Sequence, residues 1–402
     1  MSTPRAVPPP PAALVALLLL ALPGPARAVL DLRPFANATY SHDDNVFRFA
    51  DAAEAEAQRG SRQLEDTVRQ AAVGSWAQLG YGRQSLRAFG ELRRYDHASF
   101  GELDRTEAQL EGRLDWSIGI PWAGHLVYDH ARKLESVTSS ESGRLGMQTL
   151  QEAELFAGYE LAPQWRAEGG GGLRRKRHTR EEAENSDLDE RRFRLGFSWA
   201  SAVATAGAGV ETTRGHFPNR IASPETGVVD RYWQTDYLLR ASKEISGLST
   251  FETEFGFTRR DGPAAAGGGF SGLTGKLRYL WRLTRQTTAD TQAFRRLRDI
   301  EERDVNYVDE LGLSTSLQYA LTRTLGISGK AYLAEQDYVG ATGAEGVVRN
   351  DTVRRVEAGL SWTPRPSIAL KPSVGQERRS STRADRAFDA TFLGVTLEVR
   401  TD

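Results

Sequence analysis

Six histidines and one short acidic stretch are the residues of this sequence best suited to chemistry. The histidines are His42, His97, His125, His130, His178 and His216. Imidazole changes charge near neutral pH and serves equally as a base or a metal ligand. His125 and His130 share one extended segment but stand five apart. On a strand that spacing puts them on opposite faces, so they cannot grip one metal together. His97, His178 and His216 fall at the ends of apolar segments, beside longer polar stretches. Asp96 is adjacent to His97, and Ser99 lies two residues on. Neighbouring residues of a strand diverge, so these make no ready triad. A four-glycine run at 169–172 lacks the Lys-Ser/Thr of a phosphate loop, and no Gly-x-Ser-x-Gly occurs. The absence of cysteine removes a thiol nucleophile, a Cys-zinc site and a disulfide scaffold. We expect no catalytic residue, no metal and no cofactor. A hydrolase of lipid or carbohydrate with its base at His97, His178 or His216 is the rival reading.

The acidic stretch is Asp43-Asp44-Asn45, followed by Phe47 and Arg48. Its short oxygen-bearing side chains cap nearby amides and build Asx-turns. Clustered Asp and Asn oxygens also suit Ca²⁺, but the alternate ligands and closing Glu of a calcium loop are missing, so no metal site is assigned. Residues 174–180 form a dense basic run. It reads either as a solvated loop base or as a contact for phosphorylated headgroups or an acidic polysaccharide. Charge over the whole chain is balanced, with 52 Lys+Arg against 53 Asp+Glu. No net field therefore draws nucleic acid.

The elements that position these residues alternate with period two. Phe193, Leu195, Phe197 and Trp199 alternate with Arg192, Arg194, Gly196 and Ser198. Leu273, Gly275, Leu277, Tyr279 and Trp281 alternate with Thr274, Lys276 and Arg278, and Leu280 is the exception. Similar segments occupy 251–258, 356–362 and 392–399. Each makes a strand with one apolar and one polar face. The segments run to about ten residues or more, the length of membrane-crossing strands. Trp76, Trp116, Trp165, Trp199, Trp281 and Trp362 lie near segment ends and are read as apolar-face anchors at a lipid interface. Phe89, Tyr95, Tyr279 and Tyr332 are placed on the polar side.

Residues 1–28 read as a secretory signal: Arg5, an apolar run over 12–22, then Ala26-Arg27-Ala28. Residues 29–402 read as one domain. Eight short turns are expected near 82–84, 121–122, 162–164, 201–202, 246–247, 284–285, 322–323 and 364–366. Nine longer links fall at 41–66, 98–106, 136–147, 179–187, 217–228, 260–269, 298–304, 340–350 and 380–385. Seventeen connections join eighteen strands; a count of sixteen is the alternative. The expected fold is all-β: a transmembrane antiparallel barrel of 16–18 strands, with short periplasmic turns and longer outer loops. A propeller shares the 40-residue period but lacks a recurring blade signature. Turning the apolar faces to lipid assigns Arg113, Asp115, Glu168, Arg192, Arg194, Lys276, Arg278, Arg282, Arg355 and Glu357 to the lumen. There they would set a transverse field or bind a narrow barrel shut.

The stretch from Leu32 to Arg48, with a strand ending at Tyr40 and then Asp43-Asp44-Asn45-Val46-Phe47-Arg48, resembles β-barrel porins of exopolysaccharide gene clusters. It is most similar to the exosortase-associated EpsL-type family. The resemblance extends over the chain after residue 28, and its specific motif is Asp43, Asp44, Asn45, Phe47 and Arg48. It implies residence in the Gram-negative outer membrane and a role in moving polysaccharide out of the cell. Outer-membrane lipid, the polysaccharide and a periplasmic export or synthesis protein are the implied partners. The final segment Phe392-x-Gly394-x-x-Leu397-x-Val399 resembles a barrel assembly signal, but ends in Arg400-Thr401-Asp402. A closed structural or adhesion barrel is a further alternative.

Overall fold

The computed structural model describes residues 29–135, 145–222, 228–261, 269–299, 302, 305–342 and 348–401. The signal segment read at 1–28, and parts of the longer links, lie outside the described residues. The strands are β1 (Val29–Asp43), β2 (Asp66–Tyr81), β3 (Gln84–His97), β4 (Arg105–Ile118), β5 (Trp122–Leu134), β6 (Met147–Ala162), β7 (Trp165–His178), β8 (Leu188–Ala200) and β9 (Ala204–His216). They continue as β10 (Arg231–Ser246), β11 (Ser249–Asp261), β12 (Phe270–Arg282), β13 (Thr287–Arg298), β14 (Tyr307–Ala320), β15 (Leu325–Thr342), β16 (Val348–Arg365), β17 (Ile368–Ser381) and β18 (Phe388–Arg400).

Each strand pairs antiparallel with its sequence neighbours, and β1 pairs with β18 from Phe35↔Arg400 to Asp43↔Phe392. The described residues therefore form a closed barrel of eighteen strands, and all its backbone ladders are satisfied without an edge. The eight short turns and nine longer connections fall where the alternation placed them. Strands of 12 to 18 residues exceed the five or six usual in soluble sheets.

Register decides which face is which. Tyr232 of β10 touches Glu190 of β8, and Arg192 of β8 pairs with Glu152 of β6, each across an intervening strand. Such contacts are possible only on the concave side, so the polar faces are inside. The outer faces carry Leu195, Phe197, Leu239, Phe255, Leu273, Leu313 and Leu393, all exposed. Apolar area of this extent would aggregate in water, and in a bilayer it is the favourable surface. Trp122 meets Tyr159 edge-on at 4.9 Å on this outer face, and Trp165 stands opposite Trp199, both near the short-turn end. Indoles prefer that depth.

Two aromatic placements differ from the sequence expectation. Tyr279 pairs with Phe251 on the outer face beside Trp281. Trp76 lies inside: it stands opposite Arg33 and Phe89, whereas Val73 occupies the outer face. Val73 and Trp76 are three apart, an odd number, so a regular strand cannot show both on one face.

The long-loop end has its own core. The link after β1 contains α1 (Ala52–Arg59). Asp51 caps it by accepting from the Ala53 and Glu54 amides, and Gly60 ends it in the left-handed region at φ 73°. Phe47, Phe49 and Ala55 bury against Phe100 and Leu103 of the next outer loop.

Candidate functional site

The inner wall is the candidate site. Arg113 and Asp115 lie on the inner face of β4, Glu168 on β7, and Arg192 and Arg194 on β8. Lys276, Arg278 and Arg282 lie on the inner face of β12, and Arg355 and Glu357 on that of β16. Most of these charges are paired along the wall. Arg87 and Arg113 both donate to Asp115, at 2.7 and 2.8 Å. Arg194 pairs with Glu211 at 2.5 Å, Arg240 with Glu254 at 2.5 Å, and Arg278 with Asp290 at 2.7 Å. Arg355 faces Glu357 at 3.7 Å. Such pairs, within a strand for Arg113–Asp115 and Arg355–Glu357 and between strands for the others, hold a wet wall together.

The pairing is not uniform around the barrel. Glu111, Asp129 and Glu152 stand directly opposite one another across β4, β5 and β6. Like charges in direct register repel. Lys276, Arg278 and Arg282, with Arg296 and Arg298 of β13, occupy the wall roughly opposite. These cations are largely compensated in place: Arg278 pairs with Asp290 and Glu252, and Arg296 and Arg298 share Glu310, while Glu152 receives Arg192. On the side of β13, the inner faces of β13 to β17 line a cavity of about 800 Å³, bordered by Gln292, Arg296, Ser314, Lys330, Tyr332 and Arg355 among others.

Asp299, Glu302, Val305 and Asn306, the described residues between β13 and β14, contact side chains of the barrel end. Asp299 accepts from Arg260 of β11 at 3.0 Å and from the Tyr232 hydroxyl at 3.3 Å. Glu302 accepts from Arg349 of β16. Val305 packs against Val308 and Tyr338, and its carbonyl accepts from Arg220 at 3.3 Å. The Asn306 side chain accepts from the Val229 amide at 3.1 Å. This network was not visible in the sequence, because its partners come from strands far apart in the chain. Burial alone would raise the Asp299 carboxyl; Arg260, with Lys176 and Arg174, outweighs that and holds it below the ordinary carboxylate range.

The Asp43–Arg48 stretch builds the root of the first outer loop. Arg48 donates to both oxygens of Asp43, at 2.8 and 2.9 Å, from a left-handed backbone at φ 58°. The Asn45 amide donates to Asp43 Oδ1 at 2.9 Å, which is an Asx-turn. Asn45 itself is buried and exchanges two hydrogen bonds with Phe49. Asp44 accepts from Thr391 at 2.7 Å, tying the loop to β18. Phe47 lies edge-on to Phe100 at 4.9 Å and under the Arg59 guanidinium at 3.7 Å. These oxygens are engaged by protein donors.

The histidines also have structural surroundings. His97 Nδ1 lies 3.0 Å from Asp66, and its Nε2 faces Arg105 Nη1 at 3.3 Å. A guanidinium occupies the direction a nucleophile would need. His178 is buried against Asp187 at 2.9 Å. His216 sits on the outer face opposite Arg231. His125 points inward, stacked on Phe156, and His130 points outward. The basic run at 174–180 is divided between faces and largely neutralised. Arg174 pairs with Glu190 at 2.9 Å, whereas Arg175 and Arg177 share Asp189.

Even strand number, short turns at one end and long loops at the other, and an apolar outer belt are the marks of a bacterial outer-membrane barrel. Residues 241–401 match the family model described as "Putative beta-barrel porin 2". Over that stretch the barrel is similar to this porin family. The match covers the last eight strands and the end of β10, at the end of the chain opposite the Asp43–Arg48 motif. No protein of curated function matches the sequence. Among solved structures, OccK2 (OpdF) of Pseudomonas aeruginosa is 13% identical, with 92% of this chain and 98% of that one covered and a TM-score of 0.49. OccAB3 of Acinetobacter baumannii is 10% identical over 92% and 99%, with a TM-score of 0.48. OprD of Pseudomonas aeruginosa is 12% identical over 92% and 94%, with a TM-score of 0.48.

Proposed function

We propose that this porin-like barrel resides in the Gram-negative outer membrane and gives exopolysaccharide a route out of the cell. The observation that carries the channel reading is the contrast between the two faces of one wall. Outside, leucines and phenylalanines meet lipid; inside, paired charges and hydroxyls border a cavity of about 800 Å³. A wall of that kind keeps water and hydroxylated solutes in the lumen and excludes lipid. The polysaccharide assignment rests on the resemblance of the Leu32–Arg48 stretch to the EpsL-type family.

The mechanism is passive. Inner-wall ion pairs such as Arg87–Asp115 and Arg194–Glu211 offer donors and acceptors to passing hydroxyl groups. The short turns face the periplasm, where a synthesis or export protein would deliver the polymer. Planar-bilayer recording of the refolded protein tests the channel, with discrete conductance steps expected. Deletion of the gene tests the cargo, with polymer retained in the periplasm as the expected result. A barrel without conductance overturns the channel reading, and unchanged surface polymer in the deletion strain overturns the cargo.

A further inference from the structure

The inner wall is polar along most of its height, and one large exposed ring breaks that rule. Trp76 of β2 faces inward and is 53% exposed. Its ring lies 4.3 Å from Phe89 of β3, centroid to centroid, tilted by 35°. Phe35 of β1 stacks on Phe89 at 6.0 Å and 3°. Three adjacent strands thus contribute one continuous aromatic surface. Gly74 makes it possible: a Cβ there would lie 2.5 Å from the Phe35 ring and 2.6 Å from the Gly90 carbonyl oxygen. Phe35 and Phe89 cover each other, but Trp76 keeps a face open to the lumen.

The rim of this surface is charged and self-compensated. Arg33 pairs with Asp31 at 2.6 Å, Arg87 with Asp115 at 2.7 Å, and Arg93 with Glu91 at 2.5 Å. An apolar plate ringed by compensated donors and acceptors matches a ligand with an apolar face, a hydroxylated edge and no net charge. A pyranose has that chemistry: its axial C–H groups present an apolar face and its hydroxyls ring the edge. An anionic ring would find every nearby cation already engaged.

We propose that Trp76, Phe89 and Phe35 form a stacking platform for an uncharged sugar ring of a polymer passing through the barrel. This rests on the glycan-channel reading above and names the class of residue the wall receives. Packing alone does not account for an indole left half in water, since a packed core ring is covered on both faces.

The test is ion-current block in planar bilayers, with maltohexaose as the uncharged probe and hexagalacturonate as the anionic one. Maltohexaose is expected to block the wild-type current in a concentration-dependent way. Trp76→Ala should raise the half-blocking concentration about tenfold, the loss of one aromatic contact. Trp76→Phe, which keeps a ring and guards against a misfolded variant, should restore much of the block. Trp116→Ala, on the outer face, should change nothing. Equal block in the wild type and Trp76→Ala, or tighter block by hexagalacturonate, overturns the platform while leaving the channel intact. A barrel that conducts no ions overturns the channel reading instead. Calorimetric titration of maltohexaose into the detergent-solubilised full chain then decides the platform, and identical heats for wild type and Trp76→Ala overturn it.

Discussion

Arg349 of β16 donates from Nη1 to both carboxylate oxygens of Glu302 at 2.7 Å, although the two residues are 47 apart in sequence. Its Nε and Nη2 grip Asp351, at 2.6 Å for the shortest contact, and its carbon lies 3.8 Å over the Tyr338 ring. The guanidinium is fully buried. One planar cation thus joins the barrel wall to Glu302, which lies between β13 and β14. Removing it leaves the buried Glu302 carboxylate without its cation and Asp351 with Arg379 alone, at 3.7 Å, which costs about 3–5 kcal/mol. Arg349→Ala should therefore lower the urea midpoint of the refolded barrel and enlarge its conductance, because residue 302 loses its mooring. Arg349→Lys should recover only part of either, since a point charge cannot serve both carboxylates in this fork geometry. Wild-type conductance in Arg349→Ala would show that the mooring does not narrow the path.

Asn45 makes a second prediction, at the root of the loop after β1. Its Nδ2 donates to the Phe49 carbonyl at 2.7 Å and the Asp389 carbonyl at 3.0 Å, and its Oδ1 accepts from the Phe49 amide at 3.0 Å. Asn45→Ala leaves those backbone groups buried without partners, at about 1–3 kcal/mol each. Asn45→Asp should be worse, because a carboxylate would face two carbonyl oxygens. Limited proteolysis of the folded protein, read by mass spectrometry, should show faster cleavage within residues 44–65 in both variants. Cleavage at the wild-type rate would mean that the Phe47–Phe100 cluster holds the loop unaided.

The barrel was legible in the sequence because its two signals are local. Alternation assigns faces within a strand, and turn residues mark where a hairpin reverses, so Arg192 and Arg194 could be put on one face of β8 from their spacing. Trp76 was misplaced because its strand reads Ala-Ala-Val-Gly-Ser-Trp-Ala, where small residues dilute the alternation and an indole near a segment end suggests a lipid interface. Only the register with Phe89 and Arg33 fixes its face. The Arg349–Glu302 and Arg260–Asp299 pairs were invisible for a different reason. They join residues 299 and 302 to strands remote in sequence, and no periodicity encodes that. Asp43 and Asn45 lay between: their turn chemistry is local, but the Asp389 contact of Asn45 exists only once β1 meets β18.

Asp299 gives a pH dependence. Its folded carboxyl is held below the unfolded value of about 3.9 by Arg260, Lys176 and Arg174, against the opposing effect of burial. A depressed carboxylate contributes stability that is fully present above its unfolded pKa. That contribution is lost as pH falls from about 4 through the lower folded value. Asp299→Asn should therefore be less stable than wild type at pH 7, and the two urea midpoints should converge on acidification below pH 4. Asp385, lowered by Arg383 against burial, adds to the same trend in the wild type. A gap between wild type and Asp299→Asn that stays constant from pH 7 to pH 3 would assign the effect to packing and not to charge.

Leu313 and Ser314, successive residues in the middle of β14, test the two faces of the wall directly. Leu313 is exposed on the outer face opposite Leu333, and Ser314 lines the inner cavity opposite Gln292 and Tyr332. Leu313→Arg puts a guanidinium into hydrocarbon near mid-depth, at about 2–4 kcal/mol. Ser314→Arg puts the same group into a polar lumen already holding Arg296, Lys330 and Arg355, where water and Glu357 can receive it. Folding into lipid vesicles, followed by heat-modifiable mobility on gels, should fall sharply for Leu313→Arg and stay near wild type for Ser314→Arg. Ser314→Arg should act on permeation instead: it narrows the cavity and adds a cation to the basic side, so conductance drops and selectivity shifts toward anions. The reverse pattern, with Leu313→Arg tolerated and Ser314→Arg unfolded, would require the barrel to be turned inside out, with its apolar face inward.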